Sequence, residues 1–144
     1  MAYDKNNVFA KILRGEIPSI KVYEDEHALA FMDINPATKG HTLIIPKVEA
    51  EDLFDLPAAS AAPFLLATQK VARAVKTAVN APGIMVSQHN GTAAGQTIFH
   101  VHFHVIPRWG GDHAMHGAQA DAKELEATAK LIRAQLQPVA SRRM

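Results

Sequence analysis

The sequence predicts an α+β domain with a mainly antiparallel sheet of about five strands, a long covering helix and shorter helices toward both ends. Three observations carry that prediction. Residues 97–107, Thr-Ile-Phe-His-Val-His-Phe-His-Val-Ile-Pro, alternate apolar and polar with the period of two expected of a half-buried strand. Short apolar runs elsewhere are joined by hairpin-length turns, which favours antiparallel pairing. The segment order is helix, strands, helix, strands, helix, with no repeat, low-complexity tract or composition shift, so 144 residues read as one domain.

Asn7 can cap a helix over 8–14, stopped by Gly15, with Val8, Phe9, Ile12 and Leu13 as its apolar side. Strands over 21–23 and 28–32 flank the acidic turn 24–27. Asn35-Pro36 and Gly40 punctuate the loop leading to a third strand, 41–46. Ser60 is the expected N-cap of a long helix over 61–80, with Pro63 tolerated in its first turn and Phe64, Val71, Val75 and Val79 on one face. Ala81-Pro82-Gly83 breaks it, and a strand follows over 84–87. After Arg108, residues 109–117 have no regular period and carry His113 and His116. Asp121 and Glu124 make a capping-box start for a last helix over 122–137, with Leu125, Ala129, Ile132 and Leu136 as its stripe and Pro138 as its stop.

Zero cysteines exclude disulfides, and no stretch approaches the length of a membrane span. The first seven residues lack a basic n-region followed by an apolar h-region, so a cytoplasmic protein is expected. A net charge of +1, without a basic stripe interleaved with aromatics, argues against nucleic acid and for a small anion held locally.

In a strand over 97–107, His100, His102 and His104 would share one face, in a row of roughly 13 Å. Three imidazoles there carry a desolvation cost that a task would offset. Either they converge on a metal ion, or they handle phosphate, one as nucleophile and the others as donors or acids. The small-residue loop 90–97 offers backbone N–H groups, an amide and a hydroxyl to anionic oxygen, and no Asp or Glu lies between Gln88 and Arg108, which favours phosphate.

Gly95-Gln96-Thr97-x-x-His100-x-His102-x-His104-x-x-Pro107-Arg108 resembles the signature of the histidine-triad (HIT) family of nucleotide hydrolases and transferases. The resemblance covers about residues 8–108, leaving 109–144 as a C-terminal loop and helix. It implies a HIT-like fold and cleavage at the α-phosphate of purine nucleoside phosphoramidates through a nucleotidyl-histidine intermediate. Dinucleoside polyphosphate hydrolysis and nucleotide-binding regulation with incidental turnover are the alternatives it leaves open. It further implies His102 as nucleophile, with His104 and His100 as donors or orienters of the row. Thr97 and Gln96 would contact the phosphate or bridging atom, with His41 behind the row. Phe9, Phe31, Asp33 and Ile34 would take base and ribose; His89, Asn90 and Gly95 would add nucleotide contacts, with His89 standing where many members have Asn. The Cys-x-x-Cys with which some members help hold a structural zinc is replaced by Asn7 and Ala10, so neither a metal nor another cofactor is expected. A homodimer joining two sheets is implied as well.

Overall fold

The computed structural model describes residues 2–111 and 113–136. Five strands form one antiparallel sheet in the order β1 (Lys21–Glu24), β2 (Ala28–Met32), β3 (Thr42–Pro46), β5 (Phe103–Arg108), β4 (Gly83–Ser87). The expected α+β class is present. Helix α1 (Val8–Leu13) lies on one face; α2 (Ala58–Ala78) and α3 (Ala122–Gln135) lie on the other.

Alternation along the strands sorts the two cores. On β2, Ala28, Ala30 and Met32 pack with Ile44, Val105, Phe64, Val71 and Val75 beneath α2, while Leu29 and Phe31 pack with Leu43, Ile45, Phe9 and Ile12 beneath α1. Both faces of β2 and β3 are therefore buried, and each reads as a continuous apolar run rather than a strict alternation. Leu125, Ala129 and Ile132 of α3 join the α2 core, with Leu136 packed against it.

The helix ends differ from expectation in detail. The long helix begins at Ala58, with Pro57 at its N-cap; Ser60 lies inside the first turn, and Pro63 falls in the helix interior rather than its first turn. Asp121 is the N-cap of α3 but makes no side-chain cap hydrogen bond. The end expected for that helix, residue 137, and Pro138 lie outside the described residues.

The largest difference concerns the histidine-bearing strand, which enters the sheet only at Phe103. Ile44↔Phe103 is the last β3–β5 pair, and continuing the ladder would bring Pro46 into it, a residue with no N–H to donate. The Pro46 carbonyl accepts from His100 Nε2 instead, at 2.8 Å, and the Val101 amide turns to Ala50 O, at 2.9 Å. At its other end β5 tolerates Pro107 because β3 has already left: Pro107 pairs only with Ile84 of β4, and its carbonyl accepts from the Thr38 hydroxyl at 2.7 Å.

Candidate active site

A cleft of about 530 Å³ opens between α1, the C-terminal end of β2 and the segments on either side of β5, a volume ordinary for a small-molecule site. Val8, Phe9, Ile12, Ile17, Phe31 and Leu43 make one end apolar. His89, Thr97, His102, His104 and His116 supply the polar end, with Asp33 and Ile34 between. Phe9 bridges the two, edge-on to Phe31 at 5.5 Å and to the His102 ring at 4.9 Å between centroids. Gly40 sets the loop that feeds this region: its φ is +96°, and a Cβ there would stand 3.0 Å from Val79 and 3.1 Å from Pro107.

The hydrogen bonds assign each ring its tautomer. His102 Nδ1 lies 2.7 Å from the His100 carbonyl, which can only accept. Nδ1 therefore carries the proton, and Nε2 keeps a free lone pair. The Ala37 amide donates to His41 Nδ1 at 2.9 Å, which puts the His41 proton on Nε2. That N–H donates to His104 Nδ1 at 3.0 Å, with the Asp33 carboxylate 3.4 Å away. His104 accepts at Nδ1, so its own proton sits on Nε2. The pair thus offers an acceptor nitrogen on His102 and a donor nitrogen on His104, with ring centroids 5.2 Å apart.

Burial keeps these rings neutral. It pushes the His104 pKa down to about 3, assisted by the neighbouring His102, His41, His89 and His116. It brings His41 to about 4, against the opposing pull of Asp33. His102 and His100 are also lowered, desolvation being the largest cause in each.

Of the residues expected to act, the structure brings Phe9, Phe31, Asp33, Ile34, His89, Gly95, Thr97, His102 and His104 into the cleft. His41, fully buried, stands behind His104. Three others are placed elsewhere. His100 does not share the face of its neighbours; it is fully buried, donating to Pro46 O and accepting from the Tyr3 hydroxyl, and it serves His102 through its carbonyl rather than its ring. The Gln96 amide is consumed inside the loop: Nε2 donates to Glu51 O at 2.7 Å and Ile98 O at 3.0 Å, while Oε1 accepts from the Gly91 amide at 2.7 Å. It is a brace for the loop, with no donor left for phosphate. Asn90 Oδ1 accepts from the Leu53 amide and from Gln88, tying the loop to the turn at Leu53–Asp55.

The sequence reading missed Ile12, Ile17, Ile20, Leu43 and Ile98 as lining residues, because an apolar side chain facing a cleft has the same periodicity as one facing a core. Pro18 within an apolar run was the available signal: it ends local regularity beside the helix that carries Phe9.

Asp33, His41 and His104 place one ligand atom each within 4.8 Å of one another, close enough to raise the question of a metal. The Ala37 amide argues against it. Metal ligation through His41 Nε2 would require the proton on Nδ1, where it would confront the Ala37 N–H, donor against donor. The donor set fits a shared proton better than an ion.

Comparisons with known proteins identify the family of the chain. The chain is 47% identical over 106 residues to Protein hit of Bacillus subtilis, covering 74% of this chain and 73% of that one. It is 41% identical over 101 residues to adenosine 5'-monophosphoramidase HNT1 of Saccharomyces cerevisiae, covering 70% and 61%. A crystal structure of a Hit-like protein from Bartonella henselae superposes with a TM-score of 0.89 at 48% identity, over 94% of this chain and 99% of that one. The HIT domain family matches residues 14–111, a span that holds the sheet, α2 and every imidazole placed above except His116, and the chain accordingly belongs to the HIT family.

Proposed function

We propose that the protein is a nucleotide hydrolase that cleaves purine nucleoside phosphoramidates at the α-phosphate through a nucleotidyl-His102 intermediate. The observation that carries this reading is the His102 tautomer: Nδ1–H is held on a main-chain carbonyl, and Nε2 is free at the junction of the apolar and polar ends of the cleft. The base packs against Phe9 and Phe31, the ribose meets Asp33 and Ile34, and the α-phosphate lies over His102 and His104.

The His102 Nε2 lone pair attacks phosphorus while the phosphorus–nitrogen bond to the amine breaks. The His100 carbonyl stabilises the positive charge that the ring acquires. His104 Nε2–H faces the phosphoryl oxygens. That donation strengthens as negative charge builds on the oxygens, and the leaving nitrogen departs with a proton drawn from solvent at the cleft mouth. Water then displaces His102, releasing the nucleoside monophosphate and restoring the ring. Each turnover consumes one water and yields one amine. The likeness to a yeast phosphoramidase supports the choice of substrate.

The test is AMP release from adenosine 5'-phosphoramidate and from diadenosine polyphosphate, side by side, with chelator present. Turnover of the amidate that survives chelation is expected. Faster cleavage of the polyphosphate would move the protein to the other hydrolase reading. Tight AMP binding with no turnover of either would leave a nucleotide-binding regulator.

We further infer that the protein acts as a homodimer. β4 forms one edge of the sheet with Val86 47% exposed, and Leu65 and Leu66 of α2 are more than half exposed, which suits pairing with a second copy. Light scattering should give twice the monomer mass. Val86→Glu should shift the equilibrium toward monomer by about tenfold or more; a monomeric parent protein would refute the assembly.

A further inference from the structure

Resting on the nucleotide reading above, we propose that His116 is a further ligand-contacting residue of the site, reaching a negatively charged group carried beyond the α-phosphate on the leaving side of the substrate.

The segment after β5 is tied down on both sides of His116. Buried Arg108 donates through Nη2 to the Ala114 carbonyl at 2.6 Å. The Gly117 amide donates to Asn35 O at 3.1 Å, and the Ala120 amide to Ile34 O at 2.9 Å. Glycine is required at 117 by contact rather than by φ: a Cβ there would stand 2.2 Å from the Pro36 carbonyl oxygen. The segment is thereby fastened to the stretch 33–37 that brings Asp33 and Ile34 into the cleft and supplies the amide that fixes His41. His116 itself stays exposed at the mouth of the cleft, so its backbone is fixed while its ring remains open to a ligand. The fastening places the His116 ring on the cleft wall, edge-on to His104 at 6.4 Å between centroids.

The division of the cleft decides what His116 meets. The apolar end takes the base, and His102 and His104 take the α-phosphate. What remains is the mouth, where His89 stacks on His104 at 5.7 Å and 28°, and His116 approaches the same ring at 77°. Two imidazoles at the mouth can each donate an N–H to oxyanion, a bond that strengthens when the acceptor is charged. Asp33, the carboxylate in the cleft wall, is engaged by the Asn35 amide at 2.8 Å and by His41, on the ribose side. An unsubstituted amine presents no anionic acceptor to His116; an amine that carries a carboxylate or phosphate does.

Binding of AMP and of α,β-methylene-ADP, compared by calorimetry, tests the contact without turnover. His116→Ala should weaken α,β-methylene-ADP by about tenfold, the worth of one hydrogen bond to a charged group, and AMP by less than about twofold. His116→Gln should recover part of that selective loss. Equal weakening of both nucleotides, or no effect on either, overturns the proposal while leaving the nucleotide reading intact. Failure of the parent protein to bind AMP at all would instead overturn the nucleotide reading, and this proposal with it.

Discussion

Replacing His102 by alanine is expected to reduce AMP release from adenosine 5'-phosphoramidate by about 10⁴-fold or more while leaving AMP affinity within about tenfold of the parent value. The asymmetry follows from where the ring sits. Base and ribose are held by Phe9, Phe31, Ile34 and Asp33, which the substitution does not touch, whereas no other imidazole in the cleft offers the same pairing of a main-chain-held Nδ1–H and a free Nε2. His104 cannot take over as nucleophile, because its lone pair at Nδ1 is occupied by His41 and its Nε2 carries the proton. A second readout separates lost chemistry from lost structure. Acid quench of the parent protein with radiolabelled substrate should leave label on one histidine, and His102→Ala should leave none. Turnover within about tenfold of the parent protein, or label retained in the variant, would sink the covalent route.

Much of the site could be read in the chain because strand periodicity and chemistry coincide there. Phe103 and Val105 alternate with His104, and the structure sends the two apolar residues toward α2 and the histidine toward the cleft. The same alternation misleads one turn earlier. His100 continues the period by sequence, yet Pro46, which the register would set opposite Val101, withholds an amide, the ladder stops, and the His100 ring donates to the Pro46 carbonyl instead. The cause lies 54 residues away in the sequence, where no local pattern reports it. Gln96 fails for a related reason: its residue type suits phosphate, but Glu51, Ile98 and Gly91 claim the amide first. His116 was visible as a histidine among glycines without period; what seats it is the absence of a side chain at Gly117 against Pro36, a contact across 81 residues.

Acidification should destabilise the fold well above the pH at which carboxylates titrate. His41, His100, His102 and His104 all have pKa values lowered by burial, His41 to about 4 and His104 to about 3. In the unfolded chain these rings protonate near 6.5, so between that value and the folded ones the unfolded state binds more protons. Stability is therefore fully present above pH ~6.5 and is lost as pH falls toward 4, by up to ~1.4 kcal/mol per pH unit for each such ring. For His41 and His104 alone, a fall from pH 6.5 to 5 corresponds to a drop in Tm on the order of 10 °C in a domain of this size. Thermal unfolding followed from pH 7.5 to 4.5 checks the slope. His104→Asn should flatten it, and a flat profile in the parent protein would contradict the assigned burial. The same neutral state that makes the fold acid-sensitive leaves Nε2 of His102 unprotonated and ready to attack. A bound phosphate reverses the sign of the local field, favouring the protonated rings that the empty cleft resists. Saturating AMP should therefore restore part of the Tm lost at pH 5, and restore less at pH 7.5, where there is nothing to offset.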